Sequence, residues 1–280
     1  MKSIKFVKMQ GAGNDFILLE DAFISGKPSF SSKQLVSLAK KICDRKYGVG
    51  ADGLLLVTKS VKADARMRIF NADGSEPDMC GNGARCFASY VAQRKKKSSL
   101  LVETRAGFLK AQVQAKKIKL NMTEPKDLKL GLSLEIDATL YKADYVNTGV
   151  PHVVVMVDDL ENFHVQRIGR LIREHTMFQP AGANVNFIKI VDSNFLHVRT
   201  YERGVENETL ACGTGSVASA IIAVLNAQHK KGLDGAPFCM RVKTKSGELL
   251  KVYFKVSGKI ITDVWLEGEA KVVFKGEYYV

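Results

Sequence analysis

Two segments of this chain share one unusual pattern. Cys80-Gly81-Asn82-Gly83 and Cys212-Gly213-Thr214-Gly215 each place a cysteine before glycine, a polar residue and a second glycine, and each opens an alanine-rich apolar run. The first N–H groups of a helix have no intrahelical partners, and together with the helix dipole they stabilise negative charge. A cysteine at such a place is biased toward the thiolate, the form that can take up a proton. The glycines let backbone amides approach a ligand closely. A single cysteine of this kind is more often a small hydrophobe, but two copies at matching places in two halves point to catalysis. Paired thiols facing one cleft suit a specific reaction. One thiolate removes a proton from carbon, the other thiol returns a proton to the opposite face, and the centre is inverted. Helix N-termini aimed at a carboxylate beside that carbon would stabilise the carbanion, and the transfer needs a dry, closed site.

The elements that must position these cysteines can be read from the pattern around them. Ile4, Phe6, Val7 and then Phe16-Ile17-Leu18-Leu19 predict two strands around a Gly11–Asp15 turn. Ser31-Ser32 caps a helix reaching about Cys43, with Leu35, Leu38, Ala39 and Ile42 on its apolar face. Strands are predicted at 54–58, 66–70, 100–104, 108–114 and 117–122, with a helix from the Cys80 motif to about Arg94. The second half repeats the scheme: strands at 152–157, 185–190 and 195–201, helices near 164–175 and from the Cys212 motif to about Gln228, then a strand-rich tail over 239–274. Repetition of this kind is a fold-level signal. It gives an α+β protein of two similar halves, with a boundary near Glu124-Pro125-Lys126.

Composition sets outer bounds. Of 280 residues, 46% are hydrophobic and 25% charged, which excludes a disordered or low-complexity chain. The net charge of +13 makes an anionic partner worth weighing. The basic clusters at Arg94–Lys97, Lys116–Lys119 and His229-Lys230-Lys231 follow or flank elements, however, and read as solvated faces and helix ends. No aromatic RNA-binding motif or zinc-finger spacing accompanies them, so nucleic acid is not expected. Five cysteines without regular spacing give no disulfide framework, the N-terminus has no signal-peptide core, and the longest apolar stretch, Val217–Leu225, is too short to span a bilayer. A cytoplasmic protein with no membrane association is expected. Cys43, Cys86 and Cys239 read as packing residues, no metal site is expected, and His164, His175, His197 and His229 read as surface or loop residues. Gly48-Val-Gly50-Ala-Asp-Gly53 matches a dinucleotide-binding fingerprint in letters only, because a strand follows it where a helix should.

Taken in order, Gly11-Ala-Gly-Asn14-Asp-Phe, Asn71-Ala-Asp-Gly-Ser-Glu, Met79-Cys80-Gly-Asn-Gly-Ala-Arg-Cys86, Glu103-Thr-Arg-Ala-Gly107, Pro151-His152 and Glu202-Arg203-Gly…Cys212-Gly-Thr-Gly resemble the diaminopimelate epimerases. The resemblance covers about residues 6–216. It implies two pseudo-symmetric domains, each of strands wrapped around a central helix, with the active site in the cleft between them. The last strand crosses back, so that 1–124 with 269–280 form the half carrying Cys80 and 125–268 the half carrying Cys212. It also implies a cofactor-independent, metal-independent homodimer that interconverts LL- and meso-diaminopimelate for lysine and peptidoglycan synthesis. Cys80 and Cys212 would be the acid and base, with His152 and Glu202 tuning the two thiols. Gly81, Asn82, Gly213 and Thr214 would face the carboxylate at the reacting carbon, while Asn14, Asn71, Asn184, Glu202 and Arg203 hold the substrate. Arg203 can grip a carboxylate bidentately, and Glu202 can accept from an ammonium.

Three departures from the family pattern stand out. Gly53 occupies a position where some members bind substrate through glutamine. Val150 replaces a commoner asparagine, for which Asn147 is a candidate substitute. The Glu202–Cys212 box carries one extra residue within Val205-Glu-Asn-Glu, expected to bulge in a loop. A proline or hydroxyproline racemase on the same architecture is the competing enzyme. A basic nucleic-acid-binding protein that lost catalysis is the competing non-enzyme.

Overall fold

The computed structural model describes residues 3–20, 30–228, 237–258 and 260–279. Helix α1 (Ser32–Ile42) begins where the sequence predicts: Ser31 accepts from the Gln34 N–H, and Gln34 returns a bond to the Ser31 N–H. This reciprocal capping box satisfies two otherwise unpaired amides. Contacts divide the chain into two units, 1–120 with 268–280, and 121–267.

The first unit contains β1 (Ser3–Gly11), β2 (Asn14–Glu20), β3 (Gly53–Thr58), β4 (Ala65–Asn71), helix α2 (Gly81–Lys95), β5 (Ser99–Thr104), β6 (Gly107–Gln114) and β7 (Lys117–Asn121). Ala12 and Gly13 both have positive φ, as the tight β1–β2 hairpin requires. The second unit contains β8 (Lys126–Ile136), β9 (Thr139–Asn147), β10 (Pro151–Met156), helix α3 (Val165–Glu174), β11 (Asn184–Asp192), β12 (Phe195–Glu202), β13 (Asn207–Thr209), helix α4 (Gly213–Gln228), β14 (Pro237–Lys243), β15 (Leu249–Ser257) and β16 (Ile260–Glu269). The last strand, β17 (Lys271–Tyr279), pairs with β1 and belongs to the first unit.

The strand orders show how closely the two halves repeat. In the first unit the order is β17-β1-β2-β3-β4-β5-β6-β7, and in the second β8-β9-β10-β11-β12-β14-β15-β16. Read along either order, successive pairs run antiparallel, antiparallel, parallel, antiparallel, parallel, antiparallel, antiparallel. α1 and α3 occupy the same crossover, as do α2 and α4. The chain's final strand therefore fills in the first unit the place that β8 fills in the second.

Each unit wraps strands around one helix. α2 packs on β1 through β6, and α4 packs on β9 through β12, β14 and β15. α4 is apolar on all sides, with Val217, Ala218, Ala220, Ile221 and Ile222 fully enclosed, as suits a helix surrounded by protein. The central strands are buried on both faces, which explains the continuous apolar run Leu54-Leu55-Leu56-Val57. Leu54 and Leu56 join the α1 core, and Leu55 lies against Gly83 of α2. In the second unit Val185 and Phe187 join the α3 core.

The sequence reading missed β8 and β9 altogether, because their half-exposed alternation is diluted by lysines and Asp137-Ala138 at the turn. Gly48–Gly53 is the connection from α1 to β3. A Cβ on Gly48 would lie 2.2 Å from the Lys41 carbonyl oxygen, and Gly50 has φ +78°, so these glycines serve the turn. Cys239 is a correction: it is exposed, whereas Cys43 and Cys86 are buried. The alternation of β14 sends Met240 and Val242 inward and leaves Cys239 on the outer face.

Candidate active site

Both motif cysteines cap their helices through sulfur. The Cys80 Sγ accepts from the Gly83 N–H at 3.5 Å, and the Cys212 Sγ accepts from the Gly215 N–H at 3.4 Å. An N-cap side chain ordinarily uses oxygen for this bond. A sulfur in its place is held where amide hydrogens and the helix dipole favour negative charge. The bias argued from spacing thus has the same geometry twice.

Around Cys80 the polar side chains form a connected chain. The Arg85 guanidinium donates to Asn82 Oδ1 at 2.8 Å, Asn82 Nδ2 donates to Asn14 Oδ1 at 2.6 Å, and Asn14 Nδ2 donates to Asp52 Oδ2 at 2.9 Å. Asp52 also accepts from the Asp15 amide and from Arg45, which bridges Asp52 and Asp15. Burial alone would raise the Asp15 pKa, but Arg45 and Lys8 outweigh it and pull the carboxyl down to about 2. Asn14 is thereby fixed from both ends of its amide. Asn71 is exposed at the end of β4, where its Nδ2 donates to Ser75 Oγ. A Cβ on Gly81 would meet no atom within 4 Å, so packing does not require glycine there.

Around Cys212 the arrangement is denser. Thr214 Oγ1 lies 3.4 Å from the sulfur. Glu202 accepts hydrogen bonds from the Cys212 side chain and from Thr209 Oγ1, while burial, the larger effect, pushes its pKa up. A carboxylate raised in this way is a stronger base, hydrogen-bonded to the thiol whose proton it could take. Arg203 follows Glu202 in the β12–β13 turn. Its guanidinium donates through one nitrogen to the Ala181 and Gly182 carbonyl oxygens, and among the described residues no carboxylate lies within ion-pair range. Its charge therefore remains available to an anion. Asn184 fixes that turn by accepting from the Arg203 N–H at 2.9 Å and donating to the Pro151 carbonyl oxygen at 3.3 Å. The extra residue of the box lies in a tight turn, with positive φ at Gly204 and Glu206, and Glu202 pairs with Asn207 across it. Gly213 starts α4 with Leu266 packed 3.1 Å from its absent Cβ.

His152 is fully buried on β10, and desolvation together with the Arg203 charge lowers its pKa to about 3. Its Nδ1 faces the Asn186 amide nitrogen at 3.1 Å, and its Nε2 has no hydrogen-bond partner among the described residues. Asn186 and Thr200 are polar residues of this site that the sequence reading missed. The available signal was an asparagine between Val185 and Phe187 in a predicted strand, and the structure buries it fully. Asn147, the candidate substitute at the Val150 position, uses its oxygen to accept from the Gly149 N–H. Of the basic clusters, Lys97 pairs with Asp64 and Arg94 with Glu20 at the end of α2, while 229–231 lies outside the described residues.

The diaminopimelate epimerase family model matches residues 6–128 and 144–272. This chain belongs to the diaminopimelate epimerase family. A diaminopimelate epimerase from Aquifex aeolicus is 41% identical, covering 98% of this chain and 97% of its own. One from Archaeoglobus fulgidus is 43% identical, covering 98% and 95%. Among solved structures, a Bacillus anthracis phenazine biosynthesis protein of the PhzF family superposes with TM-score 0.74 at 22% identity over the full length of both chains. An Agrobacterium vitis hydroxyproline epimerase superposes with TM-score 0.68 at 17% identity, covering 98% of this chain and 92% of that one. These two likenesses concern the fold. Family membership makes the chain an isomerase of the epimerase type, in the two-domain α+β fold that the sequence pattern predicts. Among the described residues no helix is long and apolar enough to cross a membrane.

Proposed function

We propose that this chain interconverts LL- and meso-diaminopimelate without a cofactor, with Cys80 and Cys212 as the two acid/base groups serving one substrate. The observation that carries the reading is the repeated sulfur cap: both cysteines stand at helix N-termini with an amide hydrogen directed at Sγ. One thiolate takes the α-proton, breaking the C–H bond and leaving the electron pair delocalised into the adjacent carboxylate. The second thiol gives its proton to the opposite face, so the new C–H bond has inverted configuration. The two sulfurs end with exchanged protonation states, and the reverse reaction restores them.

The remaining site residues divide this work. Glu202, hydrogen-bonded to Cys212, and His152, whose buried Nε2 has no partner among the described residues, tune the two thiols. The amides and side chains of Gly81, Asn82, Gly213 and Thr214 hold the carboxylate where charge develops. Asn14, Asn71 and Asn184 hold the remainder of the substrate, with Glu202 accepting from an ammonium and Arg203 gripping a carboxylate. The Arg203 guanidinium, with no carboxylate in ion-pair range among the described residues, supports the last role, and the Asn14–Asn82–Arg85 chain supports a preset Asn14. The reading extends to a cytoplasmic homodimer engaged with neither nucleic acid nor membrane.

The test is α-proton exchange followed by NMR in deuterated buffer, with LL-diaminopimelate, reductant and no pyridoxal phosphate. Deuterium entering the α-position with formation of the meso isomer, and meso formation lost in both Cys80→Ala and Cys212→Ala, is the expected result. Formation of the meso isomer surviving in either variant would defeat the two-thiol mechanism. Exchange on proline or hydroxyproline alone would transfer the mechanism to another substrate.

A further inference from the structure

We propose that Asn186 is a positioning residue of this reaction: it fixes His152 as the tautomer carrying its proton on Nε2, so that the imidazole presents a hydrogen-bond donor there and cannot act as a base. The proposal rests on the reading above, in which His152 serves the reacting groups.

The orientation of the Asn186 amide follows from its neighbours. Its nitrogen lies 3.1 Å from the Val153 carbonyl oxygen, which can only accept. Its oxygen lies 3.0 Å from Thr200 Oγ1, which donates to it. Nδ2 therefore has one hydrogen on Val153 O and the other directed at His152 Nδ1, 3.1 Å away. A ring nitrogen facing an N–H must offer its lone pair, and a neutral imidazole then carries its proton on the other nitrogen. That nitrogen, Nε2, is buried and unpartnered among the described residues. Burial independently keeps the ring neutral.

The molecule supplies its own control. His152 pairs with Asn184 across β10–β11, and Asn186 with Thr200 across β11–β12. At the same register in the first unit Phe16 pairs with Gly53, and Leu55 with Ile69. Phe16, Leu55 and Ile69 close around Gly83, the last glycine of the first cysteine motif, within 3.2–3.5 Å of where its Cβ would be. Around Gly215, the matching glycine of the second motif, the nearest atom to that place is Asn186 Oδ1 at 2.3 Å. One architectural slot is thus filled by Phe, Leu and Ile in one half and by His, Asn and Thr in the other. The fold is satisfied by the apolar set, so the polar set is retained for something other than packing. Gly215 is a glycine because Asn186 occupies the space.

The experiment is 15N NMR of the full chain labelled at histidine, without ligand, across pH 6–8. The expected spectrum shows His152 with a protonated Nε2 and an unprotonated Nδ1 throughout. A proton on Nδ1, or averaging between the two nitrogens, overturns the assignment. Asn186→Asp, whose carboxylate accepts from Nδ1, and Asn186→Leu, which copies Leu55, are then assayed for folding by circular dichroism and for kinetics. The Asp variant is expected to move the His152 proton to Nδ1. Both should lower kcat about 100-fold, the low end of what one proton-handling group contributes, with KM changed less than about twofold. Loss of kcat without a change in the His152 spectrum, or a shifted spectrum with unchanged kcat, overturns the positioning role. His152→Phe, which copies Phe16, separates the two readings. If it alone retains full activity, the role given to His152 fails, whereas if it is inactive and the Asn186 variants are not, the proposal about Asn186 fails by itself.

Discussion

At the scale of single residues, the site depends on charges held away from their ordinary ionisation. Burial binds the Glu202 proton more tightly in the folded chain than in the unfolded one. Folding is favoured by this below the unfolded carboxylate pKa and loses that contribution as pH rises through the raised value. Glu202→Gln removes the loss. It should leave thermal stability at pH 8 no lower than wild type while reducing exchange by about 100-fold, the worth of one acid/base partner. A drop in both stability and activity would instead mark Glu202 as structural. Arg203→Lys tests a different property. It keeps the charge and loses the planar fork, so KM for diaminopimelate should rise about tenfold, the equivalent of roughly 1.4 kcal/mol, with kcat little changed. The sulfur caps were legible in the sequence because each is written in four consecutive letters. The contacts of Asn186 were not, because they appear only when three strands set His152, Asn186 and Thr200 side by side.

At the scale of elements, the two cysteine-bearing helix starts share the pattern of cysteine, glycine, a polar residue and glycine, and their glycines have different surroundings. Gly215→Ala would drive a Cβ against Asn186 Oδ1, and the overpacking should cost about 1–3 kcal/mol in chemical denaturation. Gly81→Ala meets nothing, so stability should be unchanged or improved by up to about 1 kcal/mol. Its effect should appear as weaker substrate binding if the amides there meet the carboxylate. Equal stability losses for both substitutions would contradict this asymmetry. The hairpin that presents Asn14 is secured by the Lys8–Asp15–Arg45–Asp52 cluster. The depressed Asp15 pKa contributes stability above the unfolded value of 3.8, lost as pH falls toward about 2. Asp15→Asn should flatten acid unfolding over that interval, measured by circular dichroism. Both motif helices, α1 and its cap were readable from periodicity and from Ser31. β8 and β9 were not, because an edge hairpin with one wet face carries too few apolar residues to stand out.

For the whole molecule, the repeated order of strand pairings is the organising fact, and β17 is the exception to chain order that completes it. Removing 271–280 takes away the partner of β1 along Ser3–Gln10. Hydrogen exchange should then accelerate in β1 and β2 while β10–β12 keep their protection, with catalysis lost. Uniform loosening of both units would refute this independence. The internal repeat was visible in the sequence through the twin motifs, whereas the place of the final strand was expected only from the family resemblance, because pairing across the length of the chain is encoded in no local pattern. It also bears on the order of events during synthesis. Domains ordinarily fold as they leave the ribosome, N-terminal part first. Here the half translated first waits for the last ten residues before its sheet is whole, while the half translated second has all its strands beforehand. During synthesis the Cys80 half thus completes its sheet only after the Cys212 half has all its strands, although the sulfur cap at Cys80, local to residues 80–83, does not wait for β17.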